Sequence, residues 1–374
     1  MKKKVVSILL AAAMAATLLA GCGSSNSGSA DTSTAAATEG DSSSTDTGSG
    51  EKMSVYLVSK GFQHQYWQAV YQGAQEAAEE LGVDMTMEGP NTESDIQQQV
   101  QMLNNAINLK PDAIGLAALD TQACLEAINT AMSQGIPIIG FDSGVPDAPE
   151  GAVKANAATD NYAAGELAAE ETYKLISEKI KSADSAVRIG VMAQDATAES
   201  IVNRGLGFID KIIELIEADG KTVGVEGNDK YTEGKDSTDG KDVIIDVAVP
   251  AQVTAEASTI DGQNLLNKAD TICIYASNQH SGEALVHAND NLKKLGDDGV
   301  IGVAFDSGTV IKTAVKDGTL AGAVTQDPLS IGRKTVELAV AAAKGETVED
   351  VDTGCQWYTA DNMDDAEIAP NLYD

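Results

Sequence analysis

The chain repeats one pattern in two places, Ile136-Pro-Ile-Ile-Gly-Phe-Asp-Ser-Gly144 and Val300-Ile-Gly-Val-Ala-Phe-Asp-Ser-Gly308. In each, an apolar run typical of a buried strand leads directly into Phe-Asp-Ser-Gly. Ligands of open parallel sheets bind beyond the carboxyl ends of the strands. The repeat therefore predicts one structural unit used twice, with Asp142 and Asp306 as two half-sites that face one ligand.

Strand and helix patterns alternate on both sides of the repeat, which predicts an α/β fold of two doubly wound, parallel-sheet lobes. Strands are predicted at Met53–Ser59, Val83–Glu88, Ala113–Ala118, Pro137–Phe141, Val187–Met192, Val243–Val249, Thr271–Ala276, Val300–Phe305 and Ala321–Thr325. Helices are predicted at Trp67–Leu81, Thr92–Leu109, Gln122–Gln134 and Leu329–Lys344, with others that begin near Asn161, Glu199, Ala255, Ser281 and Thr309.

The first 52 residues are predicted to be a targeting signal followed by a flexible tether. Three lysines precede the apolar stretch Val5–Leu19, and Leu19-Ala-Gly-Cys22 ends it with small residues before a cysteine. Residues 1–21 are therefore interpreted as a lipoprotein signal peptide, with an ordinary secretory signal as the alternative. Resemblance to bacterial lipoboxes implies lipidation of Cys22. Residues 22–52, rich in Ser, Gly and Thr, are predicted to be a flexible lipidated tether.

The composition excludes one class of partner. The chain has 25 basic and 57 acidic residues and a formal net charge of −32. Without a basic stripe, such a chain would be repelled by phosphates, so no nucleic acid is expected as a partner. No helix-turn-helix segment is found before Met53 either.

Specific catalytic and metal chemistry is also not predicted. Apart from Cys22, the cysteines are Cys124, Cys273 and Cys355, an odd number without CxxC spacing, interpreted as incidental thiols. The acidic loop Asn228–Asp242 does not fit an EF-hand and is interpreted as a solvated insertion. No motif assembles a nucleophile with a base. We expect no enzyme activity, no metal and no cofactor.

The region from Met53 to Asp374 resembles the periplasmic sugar-binding proteins of the ribose-binding class, the type I solute-binding proteins of ABC importers. Each matching motif is short, and their order and spacing together carry the resemblance. The matching segments are Val58-Ser59 followed by an aromatic pair, Gly73-Ala-Gln75, Pro111-Asp-Ala-Ile114 before Asp120, Ile138–Asp142, Ala158-Thr-Asp-Asn161, Arg204-Gly-Leu-Gly-Phe208, Ala276-Ser-Asn278, Phe305-Asp306 and Thr325-Gln326.

The resemblance implies a two-lobed chain that crosses a three-strand hinge, near Thr159, Gln326 and Thr353. The predicted N-terminal lobe comprises residues 53–159 and 327–353. The predicted C-terminal lobe comprises residues 160–326 and 354–374.

A sugar site needs carboxylates or amides that bridge hydroxyls and an aromatic plate that stacks on the sugar face. The resemblance carries Ser59, Asp142, Asn278, Asp306 and Gln326 to ligand-contacting positions and sets Asp120 and Asp160 beside the cleft. Trp67, next to Tyr66, is the candidate plate, with packing of the first helix as the alternative. The alternative for Asp142 and Asp306 is a turn whose aspartate caps the following helix. The alternative for Asn278 and Gln326 is an ordinary turn or hinge role.

The sequence departs from the ribose pattern where the family has arginines and an aromatic. Ser143 stands where an arginine is expected, and the second expected arginine and the aromatic fall near Val202 and Val253. Ribose itself is therefore doubtful. Lys60 and Arg204 are candidates for the missing positive charge, and the unpaired carboxylates leave room for an amino-bearing ligand. His64 or His280 could contact a hydroxyl, whereas His287 is interpreted as an ordinary helix residue.

These observations predict an extracytoplasmic solute-binding lipoprotein, monomeric and lipid-anchored to the bacterial cell membrane. It would bind a monosaccharide or related polyhydroxy ligand by hinge closure and deliver it to ABC permease and ATPase subunits. The alternatives are an autoinducer-2-type signal-binding protein, a sensory receptor domain or, in a different class, a lipid-anchored enzyme.

Overall fold

The computed structural model of the protein describes residues 52–374. The predicted signal peptide, Cys22 and almost all of the predicted tether lie outside these residues. In this part of the chain, thirteen strands and ten α-helices alternate. The strands are β1 Ser54–Val58, β2 Asp84–Glu88, β3 Ala113–Leu116, β4 Ile138–Phe141, β5 Val153–Ala158, β6 Val187–Met192, β7 Val223–Gly227, β8 Val243–Ala248, β9 Thr271–Ala276, β10 Ile301–Phe305, β11 Gly322–Gln326, β12 Val351–Asp352 and β13 Cys355–Tyr358. The helices are α1 Gln65–Leu81, α2 Ile96–Leu109, α3 Leu125–Ser133, α4 Asn161–Lys181, α5 Glu199–Ala218, α6 Asp229–Thr232, α7 Ala255–Asn267, α8 Gln279–Leu292, α9 Thr309–Lys316 and α10 Pro328–Ala343.

The strands form two sheets, which confirms the predicted α/β fold with two parallel-sheet lobes. The first sheet has the order β12-β5-β4-β3-β1-β2 and the second the order β13-β11-β10-β9-β6-β8-β7. All neighbouring strands are parallel except β11 and β13. The series β2-β1-β3-β4-β5 matches β8-β6-β9-β10-β11, so the two Phe-Asp-Ser-Gly segments follow equivalent strands, β4 and β10.

Each sheet is covered by helices on both faces. Successive apolar side chains of a strand point to opposite faces, so each sheet contributes to two cores. In β1, Val55 and Leu57 belong to one apolar cluster, whereas Tyr56 and Val58 belong to another on the opposite face. Two further clusters cover the second sheet. Helix α10 packs on α1 and on the first sheet, so the chain returns to the first lobe after β11.

Two helices, α2 and α3, begin later than the sequence pattern predicts, and the hydrogen bonds of two aspartates explain why. The side chain of Asp95 accepts a hydrogen bond from the backbone of Gln98, so α2 begins at Ile96 rather than at Thr92. Asp120 accepts from the backbone of Gln122 and Ala123, which closes a turn before α3.

Four strands of the structure have no counterpart in the sequence prediction. They are β5, with the sequence Val-Lys-Ala-Asn-Ala-Ala, β7, with the sequence Val-Gly-Val-Glu-Gly, and the short strands β12 and β13. Strand β7 pairs only with β8 at the sheet edge. The predicted solvated insertion therefore connects two paired strands, and the fully buried Tyr231 anchors it, although most of its residues are exposed.

Cys124 and Cys273 are buried free thiols, and burial raises the pKa of each to about 12. Within residues 52–374, no helix is long and apolar enough to cross a membrane.

Candidate functional site

The two repeated aspartates have the same unusual backbone conformation. Asp142 has φ 57° and Asp306 has φ 73°, the left-handed region that non-glycine residues rarely adopt. Both side chains are buried, with 3% and 4% of their surface exposed. Each lies directly beyond the carboxyl end of its strand, and both line one cavity between the lobes.

Asp142 is paired with a buried lysine of its own lobe. Lys60 Nζ lies 2.7 Å from Asp142 Oδ2, and the hydroxyl of Tyr66 donates to Asp142 Oδ1 at 2.7 Å. Burial lowers the pKa of Lys60, but the charges of Asp142 and Glu93 outweigh it, so this pKa is raised above its ordinary value. Lys60 therefore stays charged, and it also donates to Ser200 Oγ of the second lobe at 3.1 Å.

Asp306 is held by groups of the second lobe. Its Oδ1 accepts from Gln326 Nε2 at 2.7 Å, and its Oδ2 accepts from the backbone of Gln279 at 2.9 Å. Arg204 Nη1 lies 3.7 Å from Oδ2, and its guanidinium stacks 3.7 Å from the ring centre of Phe305. Burial raises the pKa of Asp306, against the opposing effects of Arg204 and the two hydrogen bonds.

Three buried polar atoms of lining residues lack a hydrogen-bond partner in the described chain. Asp142 Oδ2 faces the charge of Lys60 instead, and the other two are Arg204 Nε, a donor, and Gln326 Oε1, an acceptor. Buried polar groups of this kind cost free energy unless another molecule pairs with them. Together they indicate that a polar ligand with both donors and acceptors belongs here.

A chain of hydrogen bonds crosses from the first lobe to the second beside the aspartates. Trp67 Nε1 donates to Glu93 at 2.8 Å, Gln194 Nε2 donates to Glu93 at 3.0 Å, and Asn278 Nδ2 donates to Gln194 at 2.7 Å. Burial raises the pKa of Glu93, but the charges of His64 and Lys60 and the two hydrogen bonds outweigh it, so the pKa is lowered. Glu93 is therefore ionised.

The lobes are in close contact around a small cavity of about 30 Å³, enough for about two water molecules. Direct contacts between the lobes include the backbone of Tyr66 donating to Gln279 Oε1 at 3.2 Å. Gln65 and Thr309 also exchange two hydrogen bonds. The structure is thus a closed form, and a sugar-sized molecule enters only if the lobes separate.

The structure brings together most of the residues that the sequence singles out. The cavity is lined by Lys60, His64, Tyr66, Trp67, Asp142, Arg204, Asn278, Asp306 and Gln326. The ring of Trp67 is 1% exposed and packs edge-on against Phe141, with Lys60 Nζ 5.8 Å from its centre. Its role as a stacking plate stays a prediction.

Four predicted residues lie outside this lining and make local contacts instead. The hydroxyl of Ser59 donates to the backbone oxygen of Glu88, and Asp120 caps the turn before α3. Ser143 Oγ accepts from the backbone of Ser200, and Asp160 caps α4 through the backbone of Ala163. Cys22 lies outside the described residues.

Sequence reasoning missed Glu93, Ile201 and Gln279 in the lining, and also Gln194 behind it. A signal existed for two of them, because Gln194 follows β6 and Glu93 lies in the loop after β2, both at carboxyl ends of strands. Ile201 and Gln279 lie in the first turns of α5 and α8, which begin at that same edge.

A larger surface groove, of about 810 Å³, lies at the amino ends of β3, β4 and β5. Its lining includes the exposed residues Lys110 and Lys154. It lacks the converging buried carboxylates and amides of the inter-lobe cavity, so we assign the candidate site to the smaller cavity.

The chain is similar to known proteins along most of its length. A family model described as "Periplasmic binding protein domain" matches residues 55–347. The ribose import binding protein RbsB of Bacillus subtilis (strain 168) is 24% identical over 309 residues, 81% of this chain and 86% of that protein.

Two solved structures also match along 86% of this chain. One, described as an ABC transporter, LacI family transcriptional regulator from Brachyspira murdochii, is 35% identical with a TM-score of 0.72 and 99% of it covered. The other, an ABC transporter solute-binding protein from Agrobacterium vitis with bound D-fucose, is 29% identical with a TM-score of 0.72 and 100% of it covered.

Proposed function

The chain belongs to the periplasmic binding protein domain family, and we propose that it captures a neutral monosaccharide, or a related polyhydroxy molecule, for an ABC importer. One observation carries this proposal. Two equivalent aspartates, one from each lobe, enter a single buried polar cavity in which one donor and one acceptor lack partners. Vicinal hydroxyls, which both donate and accept, complement such a lining.

The charge balance of the cavity supports a neutral ligand rather than an amino-bearing one. Asp142 has Lys60 beside it, and Asp306 has Arg204. A ligand cation is therefore not needed to neutralise either carboxylate. Two similar proteins are associated with neutral sugars: RbsB of Bacillus subtilis is a ribose import binding protein, and the Agrobacterium vitis protein has bound D-fucose.

Ligand capture would proceed by hinge closure. We propose that residues 53–159 with 327–353 form one moving lobe, and residues 160–326 with 354–374 the other, joined by three crossings. A ligand that contacts both lobes at once binds the closed form better than the open form and so shifts the equilibrium towards closure. Asp142 and Asp306 would each bind ligand hydroxyls, with Trp67 as the plate.

Delivery would take place at a membrane. Lipidation of Cys22 and the tether of residues 22–52 would hold a monomeric body on the outer face of the cell membrane, near the permease and ATPase subunits of the importer. The proposed lipid would anchor the body through its buried methylene groups.

The test begins with a thermal-shift screen of the wild type against pentoses and hexoses, since a ligand that binds only the folded state raises its melting temperature. The sugar selected is then titrated calorimetrically into Asp306→Asn. Loss of the charged acceptor should weaken binding roughly 10- to 100-fold, while asparagine tolerates the left-handed backbone.

The matched control is Asp160→Asn, an exposed cap outside the lining, which should bind like the wild type. Equal affinity of Asp306→Asn and wild type would contradict the proposed site.

A further inference from the structure

Two of the three histidines of the chain meet across the cavity. His64 precedes α1 in the first lobe, and His280 lies in the first turn of α8 in the second lobe. Their ring centres are 5.6 Å apart with an interplanar angle of 77°, and both line the cavity. We propose that this histidine pair is a specificity-determining wall of the ligand cavity and that His280 must be uncharged when the lobes close, so that ligand capture weakens in acid. This inference rests on the proposed function.

The geometry favours a neutral imidazole at His280. The side chain is buried, with 8% of its surface exposed, and its Nε2 lies 2.8 Å from Ser258 Oγ of α7. Burial lowers the pKa of His280 to about 4, and the charge of His64 adds to this effect. Protonation would therefore place a desolvated cation against a second imidazole.

The other charged groups near the pair do not offset the cost of protonating the buried His280. Glu93 raises the pKa of His280, but both of its carboxylate oxygens already accept hydrogen bonds, from Trp67 and Gln194. The positive charge of Lys60 also lowers the pKa of Glu93. Asp261 on α7 has a buried carboxylate oxygen without a hydrogen-bond partner in the described chain, and burial raises its pKa, but its charge is not among the causes of the lowered pKa of His280.

The remaining neighbours of α8 are mainly apolar, apart from Asp306, which accepts a hydrogen bond from the backbone of Gln279 in the first turn of this helix. Helix α9 and strands β9 and β10 contribute side chains such as Ile311, Ala276 and Ala304 to the same apolar cluster. Further along α8, Glu283 accepts from Gln279. Glu93 is the carboxylate whose charge raises the pKa of His280, and burial outweighs that effect.

Opening of the lobes would expose His280 and so couple lobe movement to proton binding. In an open form His280 loses the cover of His64, Glu93 and Trp67, and its pKa returns towards the ordinary value near 6.5. Closure then releases a proton from His280. The closed form is fully favoured above that ordinary pKa, and it loses stability as the pH falls from about 6.5 towards 4.

The same pair defines the ligand class at this wall. With Nε2 engaged by Ser258, His280 keeps Nδ1 for a ligand hydroxyl, and a neutral imidazole can donate or accept there. The wall therefore fits neutral hydroxylated ligands.

The first experiment is a set of calorimetric titrations with D-fucose at pH 7.5 and 5.5. For the wild type we expect about tenfold weaker binding at pH 5.5, the effect of one histidine that titrates near 6.5 in the open form and near 4 in the closed form. His280→Gln, which keeps a polar group but takes up no proton, should show no such change between the two pH values. His287→Gln, on the exposed side of the same helix, is the matched control and should follow the wild type.

The second experiment needs no sugar. Gln65 and Thr309 hydrogen-bond across the closed lobes, so Gln65→Cys/Thr309→Cys joined by a short bifunctional thiol reagent would hold the closed form. With three histidines in the chain, proton NMR can follow each imidazole, assigned through His64→Gln and His287→Gln. The His280 signal should titrate at least one pH unit lower in the cross-linked protein than in the uncross-linked one.

The two experiments separate the two proposals. Absence of D-fucose binding at pH 7.5 counts against this sugar as the ligand and leaves the NMR comparison decisive for the histidine pair. Equal titration of His280 in the cross-linked and uncross-linked proteins would overturn the inference, as would an unchanged pH effect in His280→Gln.

Discussion

At the scale of single residues, the chemistry of the site depends on how four buried charges are arranged. Sequence reasoning identified Asp142 and Asp306 from the repeat and left open which cation accompanies them. The structure places Lys60 at Asp142 and Arg204 near Asp306, one pair in each lobe. The sequence could not predict this pairing, because the partners are far apart in the chain and meet only after each lobe has folded.

The same scale yields a prediction about Lys60. Lys60→Met should destabilise the protein by about 3 kcal/mol, because it leaves Asp142 as a buried charge without its cation. Lys60→Met/Asp142→Asn should lose much less than the sum of the two single changes, since the charge and its partner are removed together. Urea unfolding of the four proteins measures this coupling. Strictly additive losses would show that the pair is not coupled.

At the scale of elements, the same close helix contact occurs once in each lobe. A side chain on Gly73 of α1 would lie 2.0 Å from the backbone oxygen of Leu329 in α10. In the second lobe, a side chain on Gly165 of α4 would lie 2.2 Å from the backbone oxygen of Arg204 in α5. Both contacts hold a helix that carries site residues, because Tyr66 and Trp67 lie on α1 and Arg204 lies on α5.

The first-lobe contact can be tested at Gly332 of α10, where a Cβ would meet the backbone oxygen of Val70 at 1.9 Å. Gly332→Ala should destabilise the protein by about 1 to 3 kcal/mol through overpacking, although alanine is the better helix former. Chemical unfolding measures the change. Gln72→Ala, exposed on α1, should stay within about 0.5 kcal/mol of the wild type, and equal stability of Gly332→Ala would refute the close contact.

Sequence patterns predicted the long, strongly apolar elements and missed the polar edge elements. Strands β4 and β10 are continuous apolar runs, and β6 and β9 are apolar except for Arg188 and Thr271, so their positions could be predicted closely. Strand β5 carries Lys154 and Asn156, and β7 contains two glycines, so neither shows a strand pattern by itself. Their pairing with a neighbouring strand decides their structure. Glu93 was missed for a related reason, because a loop carries it into the site.

At the scale of the whole molecule, the repeated tetrapeptide reflects two sheets of the same strand order facing one cavity. This duplication is why one short motif could predict so much of the architecture. The contact between the lobes could not be predicted in the same way, since it depends on pairs such as Gln65 with Thr309 and Glu93 with Gln194.

The proposed membrane anchor also belongs to this scale. Cys22→Ser should release the protein from the membrane fraction, because the thioether-linked lipid would have no attachment site. Immunoblots of fractionated cells measure the distribution. Cys355→Ser, which leaves the proposed lipid site intact, should remain with the membranes, and retention of Cys22→Ser there would contradict the lipid anchor.

The left-handed backbone at Asp142 and Asp306 limits how this protein can acquire a new ligand. Glycine, asparagine and aspartate tolerate such a conformation, and most other residues are strained in it. Only asparagine among the alternatives keeps a polar side chain in the cavity. Evolution or engineering of a new preference must therefore act through lining residues in ordinary helical positions, such as Ile201 and Gln279, while the two aspartates stay fixed.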